Sequence, residues 1–417
     1  MLTAETHRTI DAVWRIESAR LIAGLVRIVR DVGLAEELAQ DALVAALEQW
    51  PEEGIPQKPG AWLMGTAKHR AIDLIRRHKL AERKYEEIGH EIEESFAPDF
   101  DAALDDHVGD DMLRLILIAC HPVLSREARV ALTLRLLGGL TTDEIARAFV
   151  TPEATVAQRI VRAKRTLSEA RVPFEVPRGA ELTSRLSSVL EVIYLIFNEG
   201  YSATAGDDWV RPALCDDALR LARILAQLTP NESEVHGLVA LLEIQASRLG
   251  ARVSKSGEPV LLADQDRGRW DYVLVHRGLA ALARAESFGD TLGPYALQAA
   301  IAGCHARAHS VAETDWERIV ALYDALVELT QSPIVELNRA VAVSLAFGPA
   351  QALEMVDALE EVLRDYHLLY AVRGDLLLKL GRTKEACVEL ERAAELTRNT
   401  RERELLLRRI QGVSSRA

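Results

Sequence analysis

Residues 141–167, TTDEIARAFVTPEATVAQRIVRAKRTL, contain two helix starts a short turn apart, and this feature constrains the fold of the chain most. Thr141 followed by Glu144 is a capping-box signature, in which two side chains satisfy free backbone N–H groups at a helix start. Thr151 and Pro152 form a second start, because a hydroxyl favours the N-cap and proline favours the first helical position. The stretch therefore predicts two helices in close succession.

The second of these helices has one apolar face and one basic, polar face. Its apolar residues recur at helical spacing and predict a buried stripe of Val156, Ile160, Ala163 and Leu167. The other face carries Thr155, Gln158, Arg159, Arg162 and Thr166. A short helix, a tight turn and such a second helix are the layout of a helix-turn-helix that reads DNA. The alternative, from this stretch alone, is a helical hairpin with a solvated basic face.

The composition predicts an all-α fold of two or three domains. The chain has 417 residues, more than one domain usually holds, and 49% of them are apolar, which is ample for buried cores. Aromatic residues make up only 5%, and alternating β-branched runs are nearly absent. The net charge of −13 argues against a nonspecific coat on nucleic acid, so any DNA contact must come from local basic patches.

The cysteines and the hydropathy of the chain indicate its cellular compartment and argue against a metal site. The four cysteines form no CxxC pair, which favours free thiols in a reducing cytoplasm. The doublets Cys120-His121 and Cys304-His305 lie far apart in sequence and are interpreted as core residues rather than a zinc site. No signal peptide is visible, and no apolar run approaches the ~18 residues of a membrane span. We therefore expect a cytoplasmic protein with no membrane segment, metal or cofactor.

Residues 10–50 predict two helices, over 10–30 and 34–50. The second helix turns Leu38 and Ala42 inward. Its outer face is acidic and polar, formed by Glu36, Glu37, Gln40, Asp41 and Glu48. Such a face fits contact with another protein, although most acidic helix faces are merely solvated.

A loop rich in proline and glycine at residues 51–60 precedes a strongly basic helix. That helix, AWLMGTAKHRAIDLIRRHK, presents Lys68, His69, Arg70, Arg76, Arg77, His78 and Lys79. The charge pattern makes it a second candidate for binding phosphates, separate from the helix-turn-helix.

These modules resemble two regions of bacterial sigma factors. The pattern WLxxxAKxxAIDLxRR, preceded by AEELAQDAL, is similar to sigma region 2, and residues 141–167 are similar to region 4. Their order, without an intervening region 3, resembles the extracytoplasmic-function (ECF) group. FNEGY at residues 197–201 and LLADQDRGRWD at residues 261–271 resemble blocks of the ECF subgroup with a long, tetratricopeptide-like C-terminal extension. The resemblance thus covers most of the chain.

The resemblance implies core RNA polymerase and promoter DNA as partners, and it implies roles for individual residues. The helix that docks on the polymerase clamp helices is matched by Glu37, Leu38, Gln40 and Asp41. The loop at residues 51–60 matches the one that captures a flipped base of the −10 element. The −10 helix is matched by Lys68, His69, Arg76 and Arg77, and the −35 helix by Thr155, Gln158, Arg159 and Arg162. His69 replaces a common Asn, and Ala157 and Gln158 stand where Lys and Ser are common.

The implied organisation has four parts. Residues 1–82 correspond to region 2, 83–110 to an acidic linker, 111–175 to region 4 and 176–417 to a helical extension. The composition of the linker predicts a solvated, flexible segment, whereas the resemblance implies that it lies in the RNA path of the polymerase.

The end of the extension carries mostly small residues at the spacings of a tetratricopeptide unit: Gly374, Gly381, Ala386, Leu390 and Ala393. A shift by about 34 residues, the period of that repeat, places Ala340 opposite Gly374 and Ala352 opposite Ala386. We therefore expect paired helices stacked into a solenoid.

The sequence favours a transcription factor over an enzyme. Alternating acids and arginines at residues 264–271 fit ion-paired structure better than general acid and base, and no catalytic motif is present. We expect no enzymatic activity, but a sigma factor that directs promoter-specific initiation, with a regulatory extension that contacts the sigma modules of the same chain. The alternative is a helix-turn-helix regulator with a tetratricopeptide-like sensor, which would not need the basic helix at residues 62–79.

Overall fold

A computed structural model describes residues 2–86, 108–254, 258–289 and 291–414 of the chain. Within these ranges the chain forms eighteen α-helices, three short 3-10 turns and two isolated β-bridges, with no β-strand. The prediction of an all-α fold is confirmed. The helices belong to two compact units, Met1–Val192 and Ile193–Ala417.

The first unit holds the helices that carry the predicted DNA-binding and polymerase-binding residues. They are α1 (Leu2–Val29), α2 (Val32–Glu53), α3 (Pro59–Glu86), α4 (Val108–Ala119), α5 (Arg126–Leu136), α6 (Thr142–Ala148), α7 (Glu153–Glu169) and the first part of α8 (Ala180–Tyr201). Helices α1 to α3 pack on one another, and α1 also packs on α4. Helix α3 extends into the predicted acidic linker and α4 begins in it, while residues 87–107 lie outside the described residues.

Helix α2 has an inner face rich in alanine. This face contains Ala35, Ala39, Ala42 and Ala46, all fully buried. Alanine has the highest helix propensity and the smallest side chain beyond glycine. The face therefore favours the helix itself and lets α1 and α3 approach closely on either side.

The loop predicted at residues 51–60 is shorter in the structure. Pro51 lies inside the last turn of α2, and α3 begins at Pro59. The turn ends at Gly54, which has φ +89° and donates its N–H to the carbonyl of Trp50. Glycine adopts positive φ without the cost that a Cβ imposes, so Gly54 rather than Pro51 ends the helix.

Helix α8 completes the first unit. The Ser188 hydroxyl donates to the carbonyl of Cys120 at 2.6 Å, and Arg129 forms an ion pair with Glu191 at 3.1 Å. Leu186, Val189 and Leu190 are buried. The first unit therefore extends to Val192, beyond the boundary predicted at residue 175.

The second unit is a succession of helices in which each packs against the next along the chain. They are α9 (Pro212–Leu228), α10 (Ser233–Ala246), α11 (Tyr272–Glu286), α12 (Pro294–Arg307), α13 (Trp316–Thr330), α14 (Pro333–Ala346), α15 (Pro349–Asp357), α16 (His367–Lys379), α17 (Thr383–Leu396) and α18 (Thr400–Ser414). Sequential packing of this kind is what a helical solenoid requires.

Small residues hold the last helix pairs close together. A Cβ built on Gly374 of α16 would lie 2.8 Å from Leu390 Cγ on α17, so no larger residue fits there. Ala386 is fully buried beside it, and Ala340 and Ala352 are fully buried on α14 and α15. Gly374 and these alanines therefore lie in packed positions, whereas Gly381 is exposed and has φ +75°. The assignment of these pairs to the tetratricopeptide family stays a prediction.

The segment before α18 is fixed to the loop that follows α8. Asn399 is buried and donates its side-chain amide to the carbonyls of Ala203 at 3.0 Å and Asp208 at 2.8 Å. The N–H of Thr400 donates to the carbonyl of Gly206 at 3.1 Å. These bonds join the two ends of the second unit to each other.

Candidate nucleic-acid interface

Helix α6 begins with the capping box that the sequence predicts. The N–H of Thr141 donates to the Glu144 carboxylate at 2.8 Å, and the N–H of Glu144 donates to the Thr141 hydroxyl at 3.1 Å. Glu144 also forms an ion pair with Arg15 of α1 at 2.8 Å. Burial acts to raise the pKa of Glu144, but the hydrogen bonds with Thr141 and the charge of Arg15 together lower it below its usual value. The first helix of the motif is thus fixed at its start.

The second helix of the motif begins one residue later than predicted. Helix α7 starts at Glu153, and its N-cap, Pro152, makes no side-chain hydrogen bond. The Thr151 hydroxyl donates instead to the carbonyl of Phe149 at 3.1 Å, inside the turn. The prediction that Thr151 caps α7 is therefore wrong, because its hydroxyl is used to hold the turn in which Val150 has φ +48°.

The two faces of α7 match the predicted pattern. Val156, Ile160, Ala163 and Leu167 are all buried, and they seat α7 on α5 and α6. On the outer face Gln158 and Arg162 are exposed, and Thr155 and Arg159 are half-buried. Arginine can bind guanine and glutamine can bind adenine through paired hydrogen bonds in the major groove. This face is therefore chemically suited to reading base edges.

Helix α3 presents a second basic surface. His69, Arg76 and Arg77 are exposed and Lys68 is half-buried, whereas the side chains of His78 and Lys79 lie outside the described residues. Arg70 is turned toward α2 and forms an ion pair with Asp41 at 3.5 Å. The exposed cations suit contact with phosphates, which carry most of the affinity for nucleic acid.

The four residues predicted to dock on polymerase do not lie on a single exposed face. Glu37 and Asp41 are exposed and Gln40 is half-buried. Leu38 is only 4% exposed and belongs to the core of the first unit. Only the two acids are fully available on the surface.

Glu36 was expected on the outer face of α2, and the structure corrects that expectation. It is only 3% exposed and forms ion pairs with Arg135 of α5, at 2.6 Å, and with Lys164 of α7. Gln40 donates to the same carboxylate at 2.8 Å. We call these four residues the Glu36 cluster. It joins the helix predicted to bind polymerase to the helix predicted to read DNA.

Two sequence blocks of the extension have structural partners inside the second unit. Glu199 of FNEGY is buried, pairs with Arg211 and accepts a hydrogen bond from the Thr204 hydroxyl at 2.8 Å. In the block at residues 264–271, Asp266 and Asp271 accept backbone N–H bonds rather than pairing with the neighbouring arginines. The expected alternation of ion pairs is therefore wrong: Asp266 caps a turn and Asp271 caps the start of α11.

Two negative findings concern the described residues. No group of three or more side chains there has the arrangement of a metal site. No helix among them combines the length and the apolar character needed to cross a membrane.

Comparison with known proteins assigns both modules of the first unit. The profile of the family described as Sigma-70 region 2 matches residues 16–80, and that of Sigma-70 region 4 matches residues 114–167. Residues 185–286 match a family of unknown function, DUF6596. The match to region 4 runs from within α4 to near the end of α7, and the match to region 2 runs from within α1 through most of α3.

Individual relatives agree with these matches. An uncharacterized protein of Rhizobium meliloti (strain 1021) is 43% identical over 382 residues, which cover 91% of this chain and 90% of that protein. A probable ECF RNA polymerase sigma factor, SigI, of Mycobacterium tuberculosis is 28% identical over 172 residues, 41% of this chain and 58% of SigI. The ECF sigma factor SigK of Mycobacterium sp. (strain KMS) is 28% identical over 171 residues, 38% of this chain and 83% of SigK. The chain therefore belongs to the ECF sigma factors, and it continues past the two sigma modules into a long helical extension.

Proposed function

We propose that this sigma factor binds core RNA polymerase through the exposed acids of α2 and directs transcription from promoters read by α3 and α7. The observation that carries the proposal is the pair of separate basic helix faces in the first unit. One face contains the exposed Arg76 and Arg77 of α3, and the other contains Arg162 and the half-buried Arg159 of α7. Two DNA-binding surfaces on one chain fit recognition of two promoter elements.

Core binding is assigned to Glu37 and Asp41, because these are the two exposed acids among the four residues matched to the docking helix. Carboxylates on a helix surface attract a basic partner and guide its approach. Asp41 and Arg70 form an ion pair in which both side chains are exposed. Such a pair contributes little free energy, so a basic group of polymerase can replace Arg70 as the partner of Asp41. Leu38 supports this surface from below by packing in the core.

The assignment of core binding is tested by charge reversal. Glu37→Lys with Asp41→Lys should abolish co-purification with core polymerase and leave the helical circular dichroism unchanged. Asp11→Lys is the matched control, because Asp11 is an exposed acid on α1, outside the docking face. Unchanged association of the double variant would remove α2 as the docking helix.

The extension is proposed to control the sigma modules of the same chain. A tethered domain binds its own neighbour at high effective concentration, so even weak contacts are occupied. Phe197 and Glu199 are buried within the second unit and are not available for such a contact. The proposed contact is therefore made by other surfaces of the extension, and its removal is expected to reduce promoter-directed transcription.

A further inference from the structure

The second unit contains a cavity of about 260 Å³ with a polar and aromatic lining. Helices α8, α10, α12, α13 and α14 all contribute to its wall. Four carboxamide side chains reach it, those of Asn198, Gln245, Gln298 and Asn338. Asn338 is exposed, so the cavity opens to solvent beside α14.

One buried arginine lines this cavity, and two more buried arginines lie near it. Arg248 lines it, and Arg252 and Arg267 lie close enough to act on the charge of Arg248. The three are 6%, 8% and 7% exposed. Because burial and the two neighbouring cations oppose its charge, the pKa of Arg248 is lowered from its usual value. The positive charge at this end of the cavity is therefore concentrated and poorly hydrated.

The hydrogen-bond and ring partners of these arginines are neutral, and Glu313 acts on Arg267 through its charge without forming an ion pair with it. Arg248 donates to the side-chain oxygen of Gln245 at 3.0 Å, and Arg267 donates to the carbonyl of His305 at 2.8 Å. The Arg252 guanidinium lies over the ring of Tyr201, 3.8 Å from its centroid. Among the described residues, none of the three forms an ion pair with a carboxylate. Buried charge without a counter-charge is costly, so an anion in the cavity would be stabilised.

Two further polar atoms at the cavity have no hydrogen-bond partner among the described residues. His305 is 8% exposed and lines the cavity, and its Nδ1 is unpaired. Burial and the nearby Arg248 lower its pKa to about 4, so the ring is neutral at pH 7. The Tyr201 hydroxyl is also buried and unpaired. Both groups can form a hydrogen bond with a ligand.

The aromatic residues on the wall suit a flat ligand. Phe197 and Tyr201 of the FNEGY block lie nearly parallel, with ring centroids 5.6 Å apart. Tyr194 and Tyr323 also line the cavity. Because Arg252 covers the Tyr201 ring, a planar body gains chiefly from edge contacts with these rings.

We propose that this cavity binds a small planar organic monocarboxylate, whose carboxylate pairs with Arg248 and whose flat body lies among Phe197, Tyr201 and Tyr323. A single guanidinium on the wall matches the two oxygens of one carboxylate. The lining holds no acidic residue, so nothing in it repels the anion. Binding of the carboxylate to the cavity does not depend on the proposed sigma function. Only its use as a signal that controls transcription rests on that function.

The test is titration calorimetry on the full chain without polymerase. The probes are benzoate and 4-hydroxybenzoate, each compared with its uncharged amide and with inorganic phosphate. At least one acid should bind, with its amide about ten-fold weaker or more, because a charged hydrogen-bonded contact is lost. Since no polymerase is present, failure to bind is distinguishable from failure of the proposed transcription.

Variants locate the site. Arg248→Gln should weaken the acid about ten-fold or more, while Arg364→Gln, an exposed arginine of the same unit, should not change binding. If Arg248→Gln fails to fold, Asn338→Trp tests the same cavity, because a bulky ring at the exposed mouth should block entry without disturbing the core. Circular dichroism checks the fold of each variant.

Three outcomes would overturn the proposal. One is absence of binding by both acids at about 10 mM, above the millimolar limit of weak specific sites. Another is equal binding of acid and amide, or of acid and phosphate. The third is wild-type affinity in folded Asn338→Trp, which would place the bound acid elsewhere.

Discussion

Glu36 is the residue on which the contact between α2 and the helix-turn-helix depends. Its buried carboxylate has cations from α5 and α7 as partners. Glu36→Gln would leave Arg135 and Lys164 without a counter-charge. Because these two are partly exposed, with side-chain exposures of 23% and 22%, we expect a loss of about 2–3 kcal/mol in the free energy of unfolding, below the loss for a fully buried pair.

Urea unfolding of the full chain, followed by circular dichroism, measures this loss. The matched control is Glu37→Gln, which removes the same charge from the next, exposed residue and should change stability by less than about 0.5 kcal/mol. Equal effects of the two substitutions would show that the Glu36 cluster does not stabilise the first unit.

The cysteines give a second prediction at the scale of residues. Burial raises the pKa of the Cys120 and Cys215 thiols to about 12. Cys387 is only partly buried. Because the thiolate is the reactive form, iodoacetamide at pH 8 should modify Cys387 in the native chain and leave Cys120 and Cys215 intact. Mass spectrometry of digested protein reads out each site, and rapid labelling of Cys120 without unfolding would contradict its burial.

At the scale of elements, α7 should contribute base recognition through Arg159 and Arg162. Each substitution to alanine should weaken binding of the holoenzyme to a promoter fragment by about 1–3 kcal/mol if a base contact is lost. Loss of a phosphate contact should instead weaken all DNA alike and flatten the dependence on salt. Arg20→Ala, at an exposed position of α1, is the control. Wild-type affinity in both α7 variants would exclude this helix as the reader.

The helix-turn-helix was predictable because its signals are local. The capping box joins residues three apart, and the stripe from Val156 to Leu167 follows helical periodicity alone. The end of α2 was predicted too early because the sequence pattern ends the helix at Pro51, whereas the helix continues to Gly54. The position of Glu36 was missed because Arg135 lies 99 residues away, and no local pattern reveals a partner at that separation.

The cavity of the second unit was missed for the same reason. Arg248 follows α10 and His305 lies on α12, and nothing in the sequence shows that they border one space. FNEGY was singled out by resemblance alone. Its residues have divided roles, since Glu199 holds a structural network and Phe197 and Tyr201 line the cavity.

At the scale of the whole molecule, the proposed reading of two promoter elements by α3 and α7 requires the first unit to open. Elements at −35 and −10 lie about 25 base pairs apart, roughly 85 Å at 3.4 Å per pair. Lys164 of α7 is in contact with Glu36 of α2, so the helix-turn-helix cannot reach the distant element while the Glu36 cluster is intact. We expect core polymerase to separate the two modules, which dipolar spectroscopy between spin labels on α2 and α7 would measure.

A test of the extension by truncation depends on the residue at which the chain is ended. Ending the chain at Pro177 removes α8, whose Ser188 and Glu191 bond to the preceding helices of the first unit. We therefore expect residues 1–176 to melt at a lower temperature than residues 1–192 in calorimetry. Equal melting temperatures would show that α8 adds nothing to the first unit. The effect of the extension on transcription should therefore be measured with residues 1–192, which keep this part of α8. In residues 1–176 a loss of transcription could come from the missing part of the first unit.

The most direct measurement is transcription in vitro with purified core polymerase and the full chain. Templates are drawn from genomic fragments that the holoenzyme retains. We predict a defined transcript that requires the chain and disappears with Glu37→Lys/Asp41→Lys and with Arg159→Ala/Arg162→Ala, but persists with Asp11→Lys and Arg20→Ala. A chain that binds the same fragments without polymerase, and yields no transcript with it, would contradict the sigma function and leave an ordinary DNA-binding regulator.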